Sequence, residues 1–176
     1  MTDLRYPVGK FPFERNDYSD ADREAAIEDI ASLPQKLRDA VAGLTDEQLD
    51  TPYRPDGWTI RQVIHHVADS HVNSYIRFKL ALTEHEPTIK PYAEALWAEF
   101  PDGKSFPVEI SLQLLDALHA RLVNLLKTRS PEDFDRTLLH PEMGPLNLHK
   151  MTALYGWHSR HHLAHITSLK ERLGWQ

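Results

Sequence analysis

Four stretches of the chain repeat apolar residues at the spacing of an amphipathic helix. The first runs from about Asp20 to Leu44 and places Ala26, Ile27, Ile30, Leu33, Leu37, Val41 and Leu44 on one side. Ser19 stands before it as a cap. Pro34 falls inside this run and predicts a kink or a split, because proline lacks an amide proton and crowds the carbonyl four residues back. The second runs from about Ile60 to Glu84, capped by Thr59, with Ile60, Val63, Ile64, Val67, His71, Tyr75, Phe78 and Leu82 as its main stripe. The third, about Val108 to Thr128, carries Ile110, Leu114, Leu115, Leu118, Leu122, Leu125 and Leu126. The fourth runs from about His149 to Leu173, and Gly174 ends it.

The connecting segments predict smaller elements. Thr45 to Gln48 has the T-x-x-Q pattern of a capping box and opens one turn of helix. TPYRPDGWT reads as a loop, a short helix falls near Ala93 to Phe100, and Ser130 with Pro131 begins another single turn. In TLLHPEMGPLNL two short extended pieces flank Pro141 to Gly144, which predicts a small hairpin. Residues 1–18 form an extended arm whose rings (Tyr6, Phe11, Phe13 and Tyr18) pack either on their own bundle or on a partner subunit. No internal repeat is visible. Four long amphipathic helices without a regular set of strands predict an all-α fold, an antiparallel four-helix bundle with a small β-hairpin, as one domain over residues 1–176.

Composition narrows the function. The net charge is -6 with histidine counted neutral, and no basic run occurs, which argues against a nucleic-acid groove. There is no cysteine, so disulfides and thiolate metal sites are excluded. The first residues lack an apolar signal core, and no stretch has the length of a membrane span. A cytoplasmic protein is the expectation.

Histidine changes the picture. The chain has 11, and four of them, His158, His161, His162 and His165, fall on the fourth helix at i, i+3, i+4 and i+7, which share one face. The pairs His158/His162 and His161/His165 each have the one-turn spacing that chelates a single ion. The zincin H-E-x-x-H motif has the same spacing, but the five residues here read HSRHH, so its glutamate base is missing. A third ligand must come from the second helix, as His65 or His66, and the helical wheel leaves both open. Three histidines with a vacant fourth position describe a catalytic rather than a structural zinc site. Neutral imidazoles would leave the ion's charge uncancelled, which favours an anion there, either water acidified toward hydroxide or a thiol held as thiolate.

Other readings compete with this one. A histidine on an apolar helix face is ordinarily a hydrogen-bonded core residue, and that applies to His71, His119, His140 and His149. His85 reads as solvated near a helix end. The fourth-helix cluster could equally be an exposed face that titrates with pH. Trp58, Trp97, Trp157 and Trp175 read as packing residues. A di-iron carboxylate bundle needs paired Glu-x-x-His motifs, which are absent.

The block GWTIRQVIHHVADSHVNSYIRFKLALTE with YGWHSRHHLAHITSL resembles the DinB-like superfamily. YPVGKF, LDTPYRPDGWT and LLHPEMG resemble its YfiT-type branch, usually named for metal-dependent hydrolysis, so the resemblance covers nearly the whole chain. It implies an antiparallel four-helix bundle with one divalent ion per subunit, Zn2+ or Ni2+. It also implies His66 as the ligand on the second helix and His158 and His162 as the pair on the last. His65, His161 and His165 are left as neighbours of the site. Members of this superfamily also transfer low-molecular-weight thiols of the bacillithiol or mycothiol kind, and homodimers are common among them.

Three functions follow as expectations. The first is a metal-dependent hydrolase in which water attacks a small electrophilic substrate. The second is a thiol S-transferase that conjugates a small thiol to an electrophile at the same site. The third is a non-catalytic metal- or pH-responsive binding module. Asp69, Glu142 and Tyr155 are the candidates for acid–base work, and nothing in the sequence ranks them.

Overall fold

The computed structural model describes residues 3–175; Met1 and Thr2 of the arm lie outside the described residues. Among the described residues seven helices form: α1 (Asp20–Val41), α2 (Asp46–Leu49), α3 (Ile60–Thr83), α4 (Glu94–Trp97), α5 (Pro101–Lys104), α6 (Val108–Lys127) and α7 (Leu148–Leu173). A 3-10 turn spans Pro131–Asp135, and strands β1 (Thr137–His140) and β2 (Gly144–Asn147) pair antiparallel. The four-helix bundle with a small hairpin is the fold that the periodicity predicts. The short helix expected near Ala93 to Phe100 is instead two single turns, because Pro101 takes the first position of a second one. No helix among the described residues is long and apolar enough to cross a membrane.

Local chemistry explains the helix boundaries. Ser19 with Asp22, Thr45 with Gln48, and Thr59 with Gln62 each make a reciprocal capping box. α1 stops at Val41, short of the expected Leu44, and Gly43 takes the left-handed conformation there, with φ 75°. Pro34 does not split α1, which is one helix from end to end. The carbonyl deprived of its helical donor is that of Ile30, and the Nδ1–H of buried His119 on α6 donates to it at 2.6 Å. A side chain from a neighbouring helix thus replaces the missing amide.

The long helices form a square. α1 packs against α6 and α7, and α3 packs against the same two, so α1 and α3 are diagonal, as are α6 and α7. The α1–α3 and α6–α7 connections are long enough to cross the end of the bundle. α7 comes very close to α1 at Gly156, where an added Cβ would lie 2.8 Å from the Cα and Cβ of Ala26. The arm packs on its own bundle. Phe11 is buried against Trp157, the Trp157 indole donates to the Gly9 carbonyl at 3.0 Å, and the Lys150 ammonium donates to the Phe13 carbonyl.

The core is in two parts. Leu33, Leu37, Ile60, Val63, Ile64, Val67, Leu112, Leu115, Ile166 and Leu169 belong to one cluster. Ile30, Phe78, Leu122, Leu126, Phe134, Leu138, Met151 and Tyr155 belong to the other. Along α3, α6 and α7 the segments between the clusters carry buried Ser70, His71, Ser74, His119, Ser159 and His162. A polar layer therefore crosses the middle of the bundle. The stripe expected on α6 is only partly right. Ile110 and Leu114 are 51% and 45% exposed, and the buried face runs instead through Leu112, Leu115, His119 and Leu122.

Two substitutions test this packing. Gly156→Ala should destabilise the protein by about 1–3 kcal/mol through overpacking, read as a lower urea midpoint. His119→Phe should cost a similar ~1–3 kcal/mol by stranding the Ile30 carbonyl. Adding Pro34→Ala to His119→Phe restores the backbone donor and should recover much of that loss.

Candidate metal centre

His66 and the α7 histidines meet at the polar layer. The His66 ring centroid lies 5.5 Å from that of His158 and 4.8 Å from that of His162, and the last two are 4.4 Å apart. One nitrogen from each of the three lies within 4.8 Å of the others. α3 and α7 are neighbours, so the two i, i+4 positions of α7 face the single position on α3. Of the two histidines that the wheel leaves open, His66 is the one whose ring faces the α7 pair. His65 turns the other way, where its Nε2–H donates to the Phe106 carbonyl at 3.0 Å and its Nδ1 accepts from the Ser111 hydroxyl at 2.7 Å. His65 is therefore a clamp between α3 and the start of α6, and no neighbour of the site.

Burial keeps the three rings unprotonated. Burial holds His158 and His162 well below the usual imidazole range and lowers His66 to about 4. All three rings are neutral at pH 7, with a lone pair to give. No hydrogen bond forms to the side chains of His66 or His162 among the described residues, and His162 Nδ1 is buried without a partner. On His158, Nε2 has only the Ser70 hydroxyl at 3.4 Å. Three neutral imidazoles at this spacing, with only the long Ser70 contact on the cavity side, fit a borderline divalent ion of the Zn2+ or Ni2+ type.

A second trio, His161, His162 and His165, has a similar spread. It suits an ion less well. His165 Nε2 faces the Arg5 carbonyl at 3.3 Å, and the Arg54 charge disfavours a further cation there. His161 stacks on Trp157 at 4.4 Å and His165 on Tyr53 at 4.0 Å. Burial lowers the two rings to about 4 and about 3.

The three histidines line a cavity of about 480 Å³. Its wall includes Tyr53, Arg54 and Trp58 from the loop before α3, Ser70 and Arg77 from α3, and Tyr92 and Glu94 from the next connection. Arg5 and Tyr6 of the arm and His140, Glu142 and Met143 of the hairpin close the other sides. Several of these correct the sequence expectations. His140 is in the wall, and its Nδ1 accepts the Glu142 amide at 3.2 Å. Trp58 packs on His66 at 4.6 Å, so Trp58 and Trp157 are site walls as well as packing residues. The α7 histidines are largely buried, which overturns the exposed-face alternative. The segments LDTPYRPDGWT and LLHPEMG held the clue, since both supply cavity residues.

The acid–base candidates separate. Glu142 lies in the cavity wall. Tyr155 is buried behind the site, with its ring 5.7 Å from that of His158. Asp69 lies outside the cavity lining, where burial, with the Asp102 charge added, raises it to about 6. His119 is a buried, hydrogen-bonded histidine, as expected; His149 is instead half-buried on Phe134 with no side-chain hydrogen bond among the described residues, and His85 is exposed.

The DinB superfamily model matches residues 20–166, and the chain belongs to that superfamily. It is similar to YfiT from Bacillus subtilis, described as a probable metal-dependent hydrolase with an unusual four-helix-bundle topology. The TM-score is 0.94 at 48% identity, over 98% of this chain and 99% of that one. Proteins of Bacillus cereus (strain B4264) and Bacillus mycoides (strain KBAB4), each named "Putative metal-dependent hydrolase", are 55% identical over 175 residues, which is 99% of this chain and all of theirs.

The buried rings also set a pH response. The unfolded chain protonates histidine near pH 6.5, while His66, His161 and His165 take a proton only at about 4 or below when folded. Between these values the unfolded state binds more protons, so stability is full above pH 6.5 and is lost as pH falls toward 4. Thermal melts in chelator should show a midpoint at pH 5 lower than at pH 7 by more than about 5 °C.

Proposed function

We propose that His66, His158 and His162 hold one divalent ion, Zn2+ or Ni2+, and that the cavity over them hydrolyses a small electrophilic substrate. The observation that carries this is the convergence of three neutral imidazoles from two helices in the wall of a cavity. The names of the relatives support the same class of reaction. When bound, the ion supplies a Lewis acid that acidifies water and polarises a substrate oxygen.

The chain's own residues shape the rest. The three imidazoles bring no negative charge, so they leave the cation's field undiminished. Tyr53, Trp58 and Trp157 make an aromatic wall that shields one side from bulk water. Arg54 and Arg77 line the cavity and have no carboxylate partner among the described residues, which suits an anionic group on the substrate. Glu94 and Glu142 are the carboxylates placed to accept or return a proton.

The protein should purify with about one divalent ion per chain, and His162→Ala should lose both metal and ester or amide hydrolysis. Metal content unchanged in that variant rejects the ligand assignment. Metal-dependent coupling of a thiol to a chromogenic electrophile, without hydrolysis, would move the reading to thiol transfer.

A homodimer completes the proposal. Leu96, Phe100 and Phe106, 66%, 57% and 49% exposed, precede the uncovered Ile110 and Leu114 of α6. Apolar side chains left in water like this support an interface. Sedimentation should find a dimer in the parent protein, and Ile110→Glu with Leu114→Glu should shift it to monomer.

A further inference from the structure

The unused nitrogen of a metal-bound histidine ordinarily donates to a carboxylate, a carbonyl or water, which fixes the ring. At His158 that partner is another imidazole. His71 Nε2 lies 3.0 Å from His158 Nδ1, and no carboxylate or backbone carbonyl bonds to the His158 ring among the described residues. Ser70, in the cavity wall, marks the other edge, so Nε2 of His158 faces the cavity. His71 is fully buried.

His71 is itself held in place. Its ring stacks on His119 with centroids 4.8 Å apart and 11° between planes, and Tyr155 stands edge-on to it at 5.2 Å and 88°. His119 is pinned by its bond to the Ile30 carbonyl, the one that Pro34 leaves open. His71 also carries a cost. Its Nδ1 is buried without a partner, as is the Ser74 hydroxyl one turn on. An unsatisfied buried donor costs stability, and an apolar residue would avoid that cost. A polar group kept at such a cost calls for a role.

We propose that His71 is a positioning residue for the metal centre: it accepts the Nδ1–H of His158 and so holds the His158 ring with Nε2 free of a proton and turned to the cavity. The inference rests on His158 being a ligand, as argued above. Valence sets the direction of the bond. A nitrogen that gives its lone pair to a cation carries no proton, so the proton of neutral His158 is on Nδ1. His71 must then receive it at Nε2 and keep its own proton on Nδ1. A neutral imidazole as the outer partner, where a carboxylate is common, also adds no negative charge behind the site.

The test compares zinc affinity, by competition with a chromophoric chelator, in the parent protein, His71→Leu and His71→Gln. Glutamine can still present an acceptor to His158. His71→Leu should bind zinc about 10–100-fold more weakly, while its metal-free form melts no lower than the parent. His71→Gln should recover most of the affinity. Zinc binding by His71→Leu at the parent's affinity overturns the inference, as does an equal loss in both variants. A parent protein that binds no zinc rejects instead the ligand assignment on which the inference rests. Should His71→Leu fail to fold, long-range ¹H–¹⁵N spectra of the zinc-loaded parent decide. A proton on His71 Nδ1 supports the proposal, and a proton on its Nε2 overturns it.

Discussion

Buried neutral imidazoles need partners, and the bundle is organised around supplying them. The polar layer between the two apolar clusters holds His66, His71, His119, His158 and His162 on three of the four long helices. In a dry interior each of their nitrogens costs stability unless it is bonded. Several find carbonyls or hydroxyls, as His119 does at Ile30 and, nearby, His65 at Phe106 and Ser111. Apart from His149 Nδ1, the ring nitrogens left unpartnered among the described residues cluster around the cavity and the ring stack behind it. Local rules broken in one small region of a bundle that otherwise follows them are what a functional site would show.

The same constraint connects features far apart in the chain. Pro34 opens a gap in the hydrogen bonds of α1, and His119 of α6 closes it. The His119 ring then supports His71 of α3, which meets His158 of α7. A defect in one helix is thus satisfied by a side chain that also buttresses the site. Gly156 contributes differently: without a side chain it lets α7 close onto α1 just before His158.

Topology supplies the remaining walls. Because α1 and α3 are diagonal, the segment between them crosses the end of the bundle and brings Tyr53, Arg54 and Trp58 to the cavity. The β-hairpin lies in the crossing from α6 to α7 and adds His140 and Glu142. The N-terminal arm lies on α7 and contributes Arg5 and Tyr6. The charged residues that a substrate would meet come mostly from these connections, while the nitrogens suited to an ion sit on rigid helices.

Features with short-range causes could be read before folding. Helical periodicity, the three capping boxes, the hairpin and the i, i+4 chelating pairs on α7 all depend on residues within a turn or two of one another. The choice between His65 and His66 is different: they are adjacent, both are buried, and only the position of α7 relative to α6 says which ring faces which neighbour. The Ile30 carbonyl that Pro34 leaves open in α1 takes its donor from 89 residues further along. The phase of the α6 stripe, the place of His140 in the cavity wall and the pairing of His71 with His158 likewise arise from contacts between elements. Spacing along a chain determines what shares a helix face; what that face meets is set by packing and by where buried polar atoms find partners.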